Sequence, residues 1–166
     1  MQARSFEPVQ LFAAILVNNT YALSDILQQC STEFGPILKQ SKPEIFKSPY
    51  YGKEMGDNLK KCFVLFDKKV PADTLWIYKQ QSNKLETKTS HNGKRHINID
   101  TGALTPYHLC LLSCKPYAHR IPLQHGIYAE TTLLFEHNKV KTLPWTYPDY
   151  QTDEAINCFL KMRKLC

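Results

Sequence analysis

Apolar residues along the chain recur with two periods, and their alternation orders the elements. Leu11 to Val17 is an unbroken apolar run of strand length, the pattern of a central strand covered on both faces. Leu23, Ile26, Leu27, Cys30 and Phe34 then fall at helical spacing, with Thr20 expected as the cap and Gly35-Pro36 as the stop. Ile37–Phe46 reads as a second strand and Cys62–Phe66 as a third. Pro71 and Asp73 open a second helix that runs to about Glu86. His96-Ile-Asn-Ile-Asp100 alternates polar and apolar residues, the period of a fourth strand. The first hundred residues thus run β-α-β-β-α-β, the split βαβ order of a ferredoxin-like sandwich.

The second half reads differently. Thr105-Pro106 supplies an N-cap and an N1 proline, which predicts a short helix carrying Cys110 and Cys114. Strands are expected at His119–Leu123, Gly126–Glu136 and Val140–Leu143, the last two joined by a hairpin at His137-Asn138-Lys139. An aromatic, proline-punctuated loop, Trp145 to Tyr150, precedes a final helix opening at Thr152, with Asp153 and Glu154 in its first turn. The expected fold class is α+β: a ferredoxin-like βαββαβ first half, extended by a β-rich second half and a C-terminal helix. No linker or repeat divides it, so one compact domain spans 1–166.

Composition narrows the setting. At 166 residues and 43% hydrophobic, the chain can build a core without metal or disulfide support. No apolar window approaches the roughly 18 residues of a membrane span, and no apolar stretch precedes Leu11, so neither a membrane partner nor a signal peptide is expected. A cytoplasmic protein follows as the expectation. Its six cysteines then read as reduced thiols, without the CxxC pairs of a structural zinc site. Asn18-Asn19-Thr20 spells a glycosylation acceptor in a chain that nothing directs outward. The net charge of +6 is concentrated, because residues 39–95 hold 13 Lys/Arg against 6 Asp/Glu. Such a zone attracts phosphorylated ligands or nucleic acid, although a solvated lysine-rich face gives the same count.

Candidate chemistry lies where polar residues interrupt the pattern. His96, Asn98 and Asp100 share one face of the fourth strand, a solvent face or a cleft wall. Trp76, Lys79, Asn83 and Glu86 form one stripe of the second helix. Arg163 shares a helical face with Ile156, Phe159 and Leu160, which draws it inward and demands an anionic partner. Tyr50-Tyr-Gly-Lys-Glu-Met-Gly56 packs Tyr51 and Glu54 into a loop between strands. Lys115-Pro-Tyr-Ala-His-Arg120 gathers three potential cations ahead of a strand, and Glu130 faces along the long strand with Tyr128 and Thr132.

These motifs, with His119-Arg-Ile121, Gly126-Ile-Tyr-Ala-Glu-Thr-Thr-Leu133 and Leu143-Pro-Trp-Thr-Tyr-Pro-Asp-Tyr150, resemble an uncharacterised bacterial domain-of-unknown-function family. Arg95-His-Ile-Asn-Ile-Asp-Thr-Gly102 carries the resemblance further, and together the motifs cover nearly the whole chain. Thr101 stands where similar chains tend to carry Pro, and Pro122 where an aromatic is usual. Some family members bear the label GTP-binding protein, but the resemblance implies no established activity and no catalytic roles. A P-loop would require GxxxxGK[ST], which is absent, and Asn83-Lys-Leu-Glu86 only echoes a guanine-reading motif. An ordinary GTPase is not expected.

The expected function is a polar cleft for a small anionic, phosphate-bearing ligand. In a catalytic form it would be a metal-assisted phosphoester or phosphoanhydride hydrolase. Asp100, His119, Glu54 and Glu130 are the candidate catalytic groups. Tyr51, Lys79, Asn83, Glu86, Asn98, Arg120, Trp145, Tyr147 and Arg163 are the candidate ligand contacts. A divalent metal is compatible with these carboxylates, without a ligand set that names it. Two alternatives stand beside this: a non-enzymatic structural or assembly protein with a buried polar network, and an RNA-binding module. RNA is compatible with the basic zone but not favoured, since no RNP-like string occurs. The sequence does not specify the oligomeric state.

Overall fold

The computed structural model describes Gln2 and residues 4–166, with Pro49 and Tyr50 described in backbone only. Met1 and Ala3, part of the segment read for a leader, and the Tyr50 side chain lie outside the described residues. The elements in chain order are β1 (Pro8–Val17), α1 (Leu23–Phe34), β2 (Ile37–Gln40), β3 (Glu44–Phe46), α2 (Pro49–Met55) and β4 (Leu59–Pro71). Then follow α3 (Leu75–Lys88), β5 (Ile97–Leu104), β6 (His108–Ser113), β7 (Ile121–Pro122), β8 (Tyr128–Glu136), β9 (Lys139–Thr142) and α4 (Asp153–Arg163). The nine strands form one antiparallel sheet in the order β2-β4-β1-β5-β6-β8-β7, with β3 also on β4 and β9 on β8. No helix among the described residues is long and apolar enough to cross a membrane.

Alternation along the central strands divides the interior into two layers. Leu11, Ala13, Ile15, Ile97 and Ile99 face α1 and α3, where they pack with Ile26, Phe34 and Leu75. Phe12, Ala14, Leu104 and Leu111 face the other way, toward α4, where Phe159 and Met162 meet Tyr150. The unbroken apolar run of β1 is therefore what a strand covered on both faces requires.

Four expectations are corrected. Thr20 does not cap α1: Ala22 occupies the N-cap without a side-chain bond, and the Thr20 amide instead donates to Asn18 Oδ1 at 3.0 Å. The stretch 37–46 is two strands rather than one, interrupted at Ser41–Pro43. The Tyr51–Met55 segment is part of a short helix, α2, with a proline in its first turn. Thr105-Pro106 opens no helix. Thr105 Oγ1 accepts from the amides of Tyr107 and His108 at 3.1 and 3.0 Å, which closes a turn between β5 and β6. Cys110 accordingly lies on a strand and Cys114 just beyond it. At the end of the chain, Thr152 Oγ1 does accept from Ala155 N as the cap of α4.

The feature that positions the site is a parting of strands. β6 pairs with β5 only across Gly102–Leu104, whereas β1 pairs with β5 from Ile97 onward. At Gly102 the strands come so close that a Cβ would lie 2.0 Å from the Cys110 carbonyl oxygen. Only glycine fits there. Beyond it β5 and β6 diverge, and side chains from both faces of the sheet enter the gap.

Candidate functional site

A strand edge with no neighbouring strand must find other partners for its backbone groups. On β5 the exposed edge is served by α3: Lys79 Nζ donates to the Ile99 carbonyl at 3.0 Å, and the Ile99 amide donates to Glu86 Oε1 at 2.7 Å. The helical spacing of Lys79 and Glu86 thus matches a single residue of the strand opposite. Both side chains are buried against it.

From this point a polar network spreads through the gap. Lys79 Nζ also donates to Asp100 Oδ1 at 3.2 Å, and Asn98 Nδ2 donates to Asp100 Oδ2 at 2.8 Å. Arg95 holds Glu54 of α2 with two parallel bonds of 2.7 and 2.9 Å. Its third nitrogen reaches Glu86 Oε2 at 3.0 Å and Asn98 Oδ1 at 2.9 Å. One guanidinium therefore ties α2 on one side of the sheet to α3 on the other. Arg120 forms the opposite wall. It donates to Glu130 Oε2 at 2.6 Å, to Ser113 Oγ and the Lys115 carbonyl at 2.9 Å each, and to Tyr147 Oη at 3.2 Å.

Between these walls lies a cleft of about 160 Å³. Tyr51, Lys79, Asn83, Glu86, Arg95, Asn98, Asp100, Ser113, Cys114, Lys115, Arg120 and Tyr147 line it. Eight of the expected site residues meet here: Tyr51, Lys79, Asn83, Glu86, Asn98, Asp100, Arg120 and Tyr147. Glu54 stands behind Arg95. His119, Glu130 and Trp145 stand behind Arg120 and do not line the cleft. His119 Nε2 donates to Glu130 Oε2 at 2.9 Å, and its ring stacks on Trp145 at 4.4 Å between centroids. The indole in turn donates to the Thr131 carbonyl at 2.7 Å, and Thr146 donates to that of Thr132 at 2.6 Å. Those bonds fix the loop that presents Tyr147. His119 and Glu130 thereby orient Arg120.

Arg163 lies elsewhere, contrary to expectation. It needs no carboxylate, because its guanidinium donates to the carbonyls of Pro106, at 2.7 Å, and His137, with the Phe135 ring beneath. Trp76 also leaves the stripe, packing on the core and against the His125 ring at 4.4 Å. Arg95 was missed as a site residue. It precedes the alternating strand, and its partner Glu54 is 41 residues away, so only its place in the motif Arg95–Gly102 could have drawn notice.

Charges in the cleft are held in unlike ways. The hydrogen bonds from Arg95 keep the Glu54 carboxyl below its usual range. Burial pushes Glu86 upward, against the pull of Lys79, the Ile99 amide and Arg95. Burial also opposes ionisation of Asp100, but Lys79, Lys61 and the Asn98 amide outweigh it and keep that carboxyl low. Asp100 nonetheless leaves 37% of its side chain open to the cleft. Burial raises the Tyr147 phenol, with Glu130 adding to the effect. Burial pushes the Cys110 thiol to about 11 and that of Cys30 to about 12, so neither of these two is activated. Among the described residues no three His, Cys, Asp or Glu side chains gather to hold a metal ion.

The motifs that carry the family resemblance thus frame one cleft. A search of curated proteins and a search of solved structures each return no match. A family model does match, from residue 7 to residue 165, and on that span the chain belongs to the family described as Domain of unknown function (DUF4416).

Proposed function

We propose that the cleft binds a small ligand bearing an anionic group, a phosphate being the best fit, with Arg120 and Lys115 at the anionic end and Asp100 at the floor. The observation that carries the anionic end is Arg120, whose one carboxylate partner is shared with His119; the polar part of the ligand falls to Asp100. Its carboxylate is kept ionised by Lys79, is open to the cleft, and can accept a hydrogen bond from a ligand hydroxyl or amine. Arg120, with Nε on Glu130 and Nη1 on Ser113 and the Lys115 carbonyl, keeps one Nη2 proton beyond its bond to Tyr147 for a phosphate oxygen. Lys79 uses two of its three protons on Ile99 and Asp100.

Hydrolysis of a phosphoester is the catalytic extension. A carboxyl held low is a weak proton acceptor, so Asp100 would orient an attacking water more than deprotonate it. Binding is the better-supported half. Six free cysteines support a reducing, cytoplasmic setting. We also read the β2-β4-β1-β5 half as ferredoxin-like, on strand order and antiparallel pairing alone.

A second reading has its own observation. Lys79 and Glu86 satisfy both backbone groups of Ile99 at the open strand edge, which a purely structural network would also require. RNA binding has less support, since helices cover both faces of the central sheet where bases would stack. A thermal-shift panel of inorganic phosphate, sugar phosphates and nucleotides separates the first two readings. At ligand concentrations far above Kd the melting temperature should rise by about 5 °C or more. The rise should vanish in Arg120→Met. No shift with any phosphate compound would leave the structural network as the function.

A further inference from the structure

A cleft of about 160 Å³ is small beside the roughly 300–1,000 Å³ of most small-molecule sites. Next to it is a second pocket of about 350 Å³. Tyr147, 42% exposed, lines both and is their common wall. The two differ in chemistry. The first is walled by cations and carboxylates. The second presents Ile45, Phe46, Phe63, Pro148 and the Tyr147 ring, beside Lys61, its partner Asp149 and four other polar or charged residues.

Lys61 is already neutralised within the protein. Its ammonium pairs with Asp149 and sits over the rings of Phe46, Phe63 and Tyr150 at 5.0, 5.5 and 4.7 Å. Lys61 is thus engaged, and although Lys47 also lines the second pocket, most of the exposed surface there is apolar and calls for an apolar group. Ile45 is 71% exposed on the short strand β3 and has little other reason to be apolar. The second pocket alone reaches only the lower end of that range, and the two volumes together fall well inside it.

Resting on the reading of the cleft given above, we propose that the ligand is bipartite: a phosphate-class head held on the Arg120 side of the cleft, and an aromatic or apolar moiety lying across Tyr147 into the pocket of Ile45 and Phe46. The head supplies orientation and the second moiety supplies affinity, by removing apolar surface from water.

Isothermal titration with methyl-, phenyl- and phenethylphosphonate tests this, because the head is constant and none of the three can be hydrolysed to phosphate and an alcohol. The longest should bind about ten-fold more tightly than methylphosphonate, the gain expected for burying one ring. That advantage should fall to about three-fold or less in Phe46→Ser. Should Phe46→Ser fail to fold, Ile45→Ser, at an exposed position, should still shrink it. Equal affinity across the series, or an advantage that Ile45→Ser leaves untouched, overturns the bipartite ligand while the anionic cleft stands. Failure of every phosphonate and of inorganic phosphate to bind overturns the cleft reading and this one with it.

Discussion

Arg95 and Arg120 face one another across the cleft, and the difference between them shows which wall is free to serve a ligand. Arg95 is enclosed by two carboxylates and an amide oxygen, so its positive charge is more than matched. Arg120 has one carboxylate, shared with His119, and its remaining partners are a hydroxyl, a carbonyl and a phenol. Neutral acceptors satisfy donors without cancelling charge. Two guanidiniums that look alike in the sequence therefore divide the labour. One is a clamp between α2, α3 and β5, and the other is a positively charged wall.

The largest expected effect comes from breaking the clamp. Removing one partner of a buried ion pair costs about 3–5 kcal/mol. Glu86 is buried, but the Arg95 side chain is 30% exposed, and solvent screening lowers the expectation for Arg95→Ala to about 2–3 kcal/mol. Urea denaturation should show this loss with the m-value unchanged. Arg120→Met also strips a buried pair, the Arg120 and Glu130 side chains being 10% and 2% exposed. His119 still contacts that carboxylate, so the cost should be about 2 kcal/mol, with inorganic phosphate weakened at least about ten-fold. If Arg95→Ala lost phosphate binding with its stability intact, the two roles would have been assigned the wrong way round.

The sequence revealed the two regions to different depths. Sequence patterns placed β1, α1, β4, α3 and β5, because the helices bury one regular stripe, β1 and the middle of β4 are apolar runs covered on both faces, and the start of β5 alternates. Polar side chains at those periods, Lys79, Asn83 and Glu86 on α3 and Asn98 and Asp100 on β5, then pointed to the cleft floor. The Arg120 wall was legible as a charge cluster, but its depth was not: His119 and Glu130 were read as reacting groups and stand behind the guanidinium. β6 was misread because its leucines satisfy helical spacing as well as alternation, and only pairing with β5 and β8 decides between them. The parting of β5 and β6 is a matter of register across strands, which no local pattern records. Arg95 was overlooked for the same reason: its partners are brought to it by the fold.

Acid should expose the contrast more gently. Glu54 and Asp100 are both held below their usual values in the folded protein. The unfolded chain then binds more protons than the folded one between those lowered values and the ordinary carboxylate range near about 4. Their contribution is present above that range and is lost as pH falls through the folded values. Glu86 has the opposite sign: its raised carboxyl favours the folded state most at low pH, and that contribution declines as pH rises from its unfolded value. In a Glu54→Gln, Asp100→Asn double variant the melting temperature should depend less steeply on pH below about 4 than in the parent. An acid limb as steep as the parent's would mean that neither carboxylate is held low.

The smallest effect is expected at Arg163, the candidate that lies outside both walls. Its bonds go to the carbonyls of Pro106 and His137, in the turns that precede β6 and β9. Carbonyls released in exposed turns can turn to water, so their loss carries no buried-charge penalty. Arg163→Ala should cost about 1 kcal/mol or less and leave phosphate affinity unaltered. A variant as damaging as Arg95→Ala would show that pinning two hairpins to α4 matters as much as joining helices through the sheet. Loss of phosphate binding with stability retained would return Arg163 to the ligand contacts and remove the reason for treating the two walls as the whole of the site.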